Sequence, residues 1–384
     1  MVDVTVVEAV RQLVKSAIAP RASMIEREDQ FPHDVLQAYR AAGLLTLAFD
    51  EEARGVGATL PTMCAVIREI ARTSPACATI LLGHTTACLA MRMAGAAGAL
   101  EAVAKQFPNR PAFLGICITE PESGSDVASI RTAADPDGAG WILRGQKRFV
   151  TNGPEADAFV VLARTAPRDQ ELHHLSLFLV DRRAEGVSVG RPERKLGLRG
   201  SSTADVTFTD VRVPPHHLIG EAGSGFGYVM KTLDRTRTIV AALAVGIAEG
   251  ALDQAVRYSQ VRKQFGRPIG EFQGIRFALA DMAARVAAAA ALTREAAEAV
   301  EGQVPTASLF ASMAKLCATE TASRVAADAV QVLGGYGVMA DYGVERFMRD
   351  AKVTEIYEGT NQIQRVIIAR ELMALVAEGT AVAF

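Results

Sequence analysis

The sequence predicts an α+β fold: an N-terminal α-helical domain over residues 1–111, a middle β domain over 112–219 and a C-terminal helical bundle over 220–384. Three observations predict it. Helix-type spacing runs to about residue 110, short aliphatic runs between turn residues fill the middle, and long Ala-, Arg- and Glu-rich stretches make up the rest. Strands grouped between groups of helices argue for separate layers rather than alternating βαβ units.

In the first region Met63, Ile67 and Ile70 recur every three or four residues and define one apolar stripe. The most apolar run, Thr73 to Met91, is interrupted by Pro75, His84, Thr85 and Thr86 and reads as a buried helix rather than a membrane span. The middle region offers strands at 113–118, 158–163, 175–180 and 205–209. Asp135-Pro136-Asp137-Gly138 and Asn152-Gly153-Pro154 read as turns between them. The third region gives helices at 275–301, 306–333 and 361–377, dominated by good helix formers.

Composition narrows the function. Hydrophobic residues make up 49% of 384, enough for several core layers. Lys plus Arg is 41 against 43 Asp plus Glu, so the basic excess of a nucleic-acid binder is missing. The five cysteines form no CxxC pair and no metal-ligand spacing. They read as reduced, buried thiols, and the expected location is the cytoplasm. The first fifteen residues carry Asp3 and Glu8 and do not read as a signal peptide.

Five segments carry possible chemistry, each with an ordinary structural reading beside it. Thr119-Glu120-Pro121-Glu122-Ser123-Gly124-Ser125-Asp126 comes directly after a strand and offers free N–H groups for an anion or a ring edge. It is equally a turn in which Ser125 or Asp126 caps the next segment. Gly145 to Gly153 places Phe149 before a strong Asn-Gly turn signal, where it flanks a ring or simply joins the core. Arg262-Lys263-Gln264-Phe265-Gly266-Arg267-Pro268, with Gln273 close by, suits a phosphate-bearing ligand or a solvated helix end. Gln331 to Val338, with Gly334, Gly335 and Gly337, permits close backbone approach or ends a helix. No GxGxxG occurs, so a nicotinamide Rossmann site is unsupported. Tyr357-Glu358-Gly359-Thr360 sets a carboxylate between an aromatic and a glycine, where partial desolvation would make Glu358 a general base. The plain reading makes Glu358 a surface residue and Thr360 a helix N-cap.

In this order the segments closely resemble the acyl-CoA dehydrogenase family from about residue 30 to 375. The matching runs are TEPESGSD (119–126), GQKRFVTNG (145–153), LGLRGSST (196–203), LDRTR (233–237), RKQFGRP (262–268), QVLGGYG (331–337), MRDAK (348–352) and IYEGTNQIQR (356–365). The resemblance implies an N-terminal α-helical domain, a middle β-barrel or sandwich domain and a C-terminal four-helix bundle, binding FAD without a Rossmann motif. It implies a homotetramer, a dimer of dimers, with each FAD touching two subunits. Ile118, Thr119, Gly124 and Ser125 match the loop along the flavin, and Phe149, Val150 and Thr151 the strand across it. Arg262, Gln264, Phe265 and Gln273 match pyrophosphate and adenine positions. Gln331, Gly334 and Gly335 match the neighbouring subunit's contribution, and Thr360 and Gln362 further FAD contacts. Asp234 and Arg237 match contacts to the CoA moiety, and Ser125, Tyr357 and Gly359 complete the substrate set.

Glu358 matches the catalytic base, which takes the substrate α-proton while the β-hydride passes to flavin N5 to give a 2-enoyl thioester. Some members carry their Glu at the position Thr236 occupies here. The implied substrate is a short, medium or branched acyl-CoA, or an acyl thioester on an acyl carrier protein, with an electron-transfer flavoprotein as acceptor. No metal, nucleic acid or membrane is implied. The rival readings are an oxygen-using oxidase or monooxygenase of the same fold, and a non-catalytic helical interaction protein.

Overall fold

The computed structural model describes residues 1–49, 55–95, 110–166 and 174–379. Its N-terminal helices are α1 (Val4–Leu13), α2 (Ala22–Glu28), α3 (His33–Ala41), α4 (Leu60–Ala71) and α5 (Pro75–Met93). The stripe read from the sequence lies on α4, where Met63, Ile67 and Ile70 are at most 1% exposed. Helix α5 starts where Ser74 caps the Cys77 N–H and Pro75 occupies the first turn, a position that needs no amide donor. It is buried along nearly its whole length.

His84 pins α5 to its neighbours. Its Nδ1 accepts from the Leu114 N–H at 3.0 Å, so its Nε2 carries the proton and donates to the Leu45 carbonyl at 2.6 Å. Burial pushes this imidazole down to about 4, below its ordinary value of 6.5. The folded protein therefore resists taking a proton that the unfolded chain accepts, and stability is lost as pH falls from 6.5 toward 4. At pH 5 the loss from this group is about 2 kcal/mol, and denaturant unfolding at pH 7 and pH 5 measures it. His84→Gln should flatten that dependence.

The middle region is β1 (Leu114–Cys117), β2 (Ala133–Asp137), β3 (Gly140–Thr151), β4 (Ala158–Arg164), β5 (Leu175–Asp181), β6 (Val187–Val189), β7 (Thr203–Val213) and β8 (Leu218–Ile219). They form one mixed sheet in the order β6-β7-β3-β2-β4-β5-β8, with β1 parallel to β4. Strands β5 and β7 lie four places apart in that order, about 19 Å in a flat sheet, yet they are in contact. The sheet therefore curls around its own core of Val150, Phe159, Val161, Phe178, Val206 and Phe208. One expected turn is displaced: Asp135, Pro136 and Asp137 belong to β2, and the chain reverses only at Gly138, whose φ is +60°. Pro136 is tolerated because β2 meets β4 at Ala133 alone, so its missing N–H faces no ladder partner there.

The C-terminal region is α6 (Gly225–Val261), a hairpin of β9 (Lys263–Gln264) and β10 (Arg267–Pro268), α7 (Gln273–Glu301), α8 (Ala307–Leu333), α9 (Glu345–Thr354) and α10 (Asn361–Ala377). Helix α8 packs against α6, α7 and α10 and so lies at the centre of the bundle. Helix α6 also packs on α4 and α5, and one hydrophobic core runs from the N-terminal helices through one face of the sheet into the bundle. By length and composition α5 and α6 are long and apolar enough to cross a membrane, but most of each is buried in this core. Cys64, Cys77, Cys88 and Cys117 are buried, and burial pushes their thiols up, to about 11 at Cys77 and about 12 at Cys117.

Candidate active site

The Tyr357–Thr360 turn joins α9 to α10. The Val353 carbonyl accepts from the Ile356 and Tyr357 N–H groups, and the Asn361 N–H donates to the Glu355 carbonyl at 2.9 Å. Thr360 caps α10 by accepting from the Ile363 N–H at 3.2 Å, as the plain reading of this residue expected. Between these anchors Glu358 has φ +53° and Gly359 φ +90°. A left-handed residue with a side chain costs roughly 1 kcal/mol or more, so the surrounding contacts must hold it. Gly359 suits its left-handed φ, which L side chains rarely adopt, and a Cβ there would also displace Gln364 Nε2, 2.7 Å away.

This conformation aims the Glu358 carboxylate at α6, where the Thr236 hydroxyl donates to Oε2 at 2.8 Å. Glu358 and Thr236, the two positions where the family resemblance allows a base, are thus in direct contact. Burial raises the Glu358 pKa above the usual carboxylate range, opposed by the Thr236 hydrogen bond and by the charges of Arg237 and Lys315. Among the described residues, the N–H groups of Glu358, Gly359 and Thr360 donate to no protein acceptor. They remain available to a ligand.

The loop after β1 and the end of β3 are tied together by the Arg148 N–H, which donates to the Thr119 carbonyl at 2.7 Å. Ladder register between β3 and β7 shifts between Lys147 and Val150. This irregularity turns Phe149 outward, with φ +55° and 60% of its surface exposed, while Val150 is buried. Ile118, Thr119 and Thr151 are half-buried, and Gly124 and Ser125 are exposed. Beneath the loop lies an ion pair that sequence reasoning missed. Lys147, 0% exposed, donates to the Ile118 carbonyl at 3.0 Å and to Glu120 Oε1 at 2.8 Å. Glu120 also accepts from the Arg131 and Thr132 N–H groups. Burial pushes Glu120 up, but Lys147 and these donors outweigh it and hold the carboxylate below its usual range.

Helix α5 brings the loop and the base turn together. Gly83 faces Thr151, where a Cβ would come within 2.8 Å of Thr151 Cγ2. One turn earlier, about 6 Å along the axis, Thr79 lies beside the Tyr357 hydroxyl. Glu358 and the Phe149–Thr151 segment therefore flank the same stretch of α5. Asp234 and Arg237 lie one turn apart on α6, paired at 3.0 Å. Arg237 is 5% exposed and also donates from Nη1 to Ser312, while its buried Nε has no partner among the described residues.

The remaining expected cofactor residues sit elsewhere. Arg262 ends α6 and lies 5.1 Å from the Tyr336 ring centroid, which brings it beside Gly334 and Gly335 at the end of α8. Gly334 has φ +61° and closes α8, the helix-ending role the sequence also allowed. Phe265 and Gly266 form the hairpin tip with φ +53° and +80°, leaving Phe265 92% exposed. Gln264, Gln273, Gln331 and Gln362 are exposed. Thr236 and Arg262 are 26 residues apart on α6, about 39 Å along a helix. Within one protomer the base turn beside Thr236 and the cationic segment at Arg262 therefore stand far apart.

Sequence models of the acyl-CoA dehydrogenase N-terminal, middle and C-terminal domains match residues 3–101, 115–211 and 223–373. This chain belongs to the acyl-CoA dehydrogenase family. An acyl-CoA dehydrogenase of Bacillus subtilis (strain 168) is 44% identical over 367 residues, covering 95% of this chain and 96% of that protein. The cyclohexane-1-carbonyl-CoA dehydrogenase of Geobacter metallireducens is 42% identical over 96% of each. Among solved structures, butyryl-CoA dehydrogenase from Megasphaera elsdenii superimposes with a TM-score of 0.91 at 32% identity, covering 96% of this chain and 97% of that one.

The protein is thus an FAD-dependent oxidoreductase acting on acyl-CoA. The residues fit the cofactor. Phe149 is 60% exposed with the Arg148 guanidinium 5.0 Å from its ring centroid, and the Arg148 N–H ties this segment to the Thr119 carbonyl. The Gly124 and Ser125 N–H groups are unengaged among the described residues, and a Cβ at Gly124 would meet nothing within 4 Å. Arg262 would offer a cation to a phosphate of the cofactor. Arg262→Ala should weaken FAD binding roughly tenfold or more. The flavin-to-protein absorbance ratio after dialysis measures this, and unchanged occupancy would remove Arg262 from the site.

Proposed function

We propose that this enzyme desaturates a short, medium or branched acyl-CoA between C2 and C3, with Glu358 as the base. One observation carries the reading: a carboxylate held in a strained turn, raised in pKa by burial, beside backbone N–H groups that no protein acceptor uses among the described residues. A thioester α-proton is far too weakly acidic for a carboxylate in water. Polarising the thioester carbonyl closes the gap, and the Glu358 N–H is the donor that stabilises the oxygen as enolate charge develops. Glu358 then takes the α-proton onto its carboxylate, and Thr236 keeps that group turned toward the substrate. Bound FAD supplies the two-electron acceptor for the hydride that leaves the β-carbon. Tyr357 and α5 close the far side of the turn against water, which strengthens these hydrogen bonds. The compact acyl groups named for the butyryl-CoA and cyclohexane-1-carbonyl-CoA enzymes support a compact substrate here.

The working particle is a homotetramer built as a dimer of dimers. The separation of about 39 Å along α6 supports a second copy completing each FAD site. Exposed Phe265, Phe277, Met373 and Val376 supply the apolar surface such contacts require. Electrons pass on to an electron-transfer flavoprotein in the cytoplasm. Anaerobic flavin bleaching against acyl-CoA thioesters of graded length and branching tests the reading, with double-bond position read by mass spectrometry. A 2-enoyl product is expected. A product desaturated elsewhere, or fast reoxidation of the reduced enzyme by air, would replace this reading with another chemistry on the same fold.

A further inference from the structure

We propose that Lys315 is a positioning residue for the base: its ammonium fixes the Gly359 carbonyl and Asn361, and so holds the turn that presents Glu358. The proposal rests on Glu358 being the base. Lys315 lies on α8, is 0% exposed, and is one of only eight lysines in the chain. Its Nζ donates to the Gly359 carbonyl at 2.8 Å and to Asn361 Oδ1 at 3.0 Å. One turn further along α8, the Thr319 hydroxyl donates to the same Asn361 oxygen at 3.1 Å. Gln364 Nε2 donates to the same Gly359 carbonyl at 3.0 Å. Two donors from two helices thus clamp the carbonyl of the residue after Glu358, where the backbone runs left-handed at two successive residues.

A neutral donor would satisfy these two oxygens, so the buried charge needs its own reason. The groups facing Lys315 supply one. Glu358 and Glu355 in the α9–α10 connection favour its charged form, while Arg237 on α6 opposes it, and burial brings its pKa down to about 7. The same groups face Glu358: Arg237 and Lys315 lower its pKa, and the Thr236 hydroxyl on α6 assists them. Lys315 therefore does two jobs with one group. Its N–H donors set the geometry of the turn, and its charge, when it is protonated, opposes the burial that raises the pKa of the base. A lysine in an alanine-rich helix reads in the sequence as a solvated face, which hides this role.

The test compares Lys315→Met and Lys315→Arg with wild type and Glu358→Gln as holoenzymes. Three quantities are read: the pH profile of anaerobic flavin reduction, exchange of the substrate α-hydrogen in D2O, and amide hydrogen exchange across residues 355–363. FAD content and Tm accompany them. In Lys315→Met the acid limb of both pH profiles should move up by about one pH unit. The plateau rate should fall roughly 10- to 100-fold, since a misplaced base loses that much. Amides of the turn should exchange faster, with FAD content unchanged. Lys315→Arg, which keeps the charge in a poorer shape, should keep the wild-type limb at a reduced plateau. An unmoved limb in Lys315→Met overturns the proposal whatever happens to the rate, because a purely structural peg has no reason to shift it. If the Met variant does not fold, Lys315→Gln, which keeps N–H donors without charge, carries the same expectation for the acid limb. Full α-hydrogen exchange by Glu358→Gln would instead overturn the base assignment, with Lys315 left out of the question.

Discussion

Glu358→Gln should bind FAD and acyl-CoA as the wild type does, yet reduce its flavin roughly 10⁴-fold or more slowly. The amide is nearly isosteric with the carboxylate and still accepts from the Thr236 hydroxyl, which lies 2.8 Å from Oε2. The turn therefore keeps its shape, because its anchors are the Val353 and Glu355 carbonyls, the Thr360 cap and Lys315 rather than the Glu358 side chain. What disappears is the carboxylate that accepts the proton, and the Thr236 hydroxyl beside it does not ionise near neutral pH to take its place. Stopped-flow absorbance under anaerobic conditions separates the outcomes. Tight binding without bleaching is expected, and near-normal bleaching would remove Glu358 from the chemistry.

The second large effect is on the fold of the cofactor loop. Lys147→Met leaves the Glu120 carboxylate buried without its counter-charge, which costs about 3–5 kcal/mol of stability. It also frees the Ile118 carbonyl, which Lys147 holds at 3.0 Å, so the loop bearing Thr119 loosens and FAD occupancy falls. Pairing the change with Glu120→Gln should recover part of the stability, because no lone charge remains, although the single amide oxygen accepts from only one of the Arg131 and Thr132 N–H groups that now bond the two carboxylate oxygens. Denaturant unfolding of the single and double variants measures the difference. Equal losses in both would show that Lys147 acts through packing rather than charge.

These two lysines mark where the sequence stops being legible. Ala-rich helices at 275–301, 306–333 and 361–377 emerge within two residues of their observed ends, because helix propensity summed over such lengths overrides local ambiguity. The readings at 113–118, 158–163 and 175–180 end within one residue of observed strands, and 205–209 marks the middle of Thr203–Val213, since these apolar runs have nowhere to go but a sheet core. Pro136 misleads because a proline reads as a turn unless the neighbouring strand is known to end. Buried Lys147 and Lys315 are invisible for the opposite reason: nothing in a linear sequence tells a solvated ammonium from one folded under a loop. Thr360 belongs to both readings at once, capping α10 while sitting beside the base. Likewise the sequence lines up Arg262 and Glu358 as parts of one function, but only the length of α6 reveals that they stand at opposite ends of the bundle.

The central claim is that the Glu358 carboxylate and the flavin ring meet the substrate from opposite sides of its Cα–Cβ bond. A crystal structure of the FAD-loaded Glu358→Gln enzyme with a saturated acyl-CoA tests it most directly. The account predicts the side-chain amide at position 358 within about 3–3.5 Å of the substrate α-carbon. It also predicts the thioester oxygen on the backbone N–H of the same residue and the ring against Phe149 and Thr151. A side chain at position 358 turned to solvent, or a thioester bound away from the Tyr357–Thr360 turn, would contradict it.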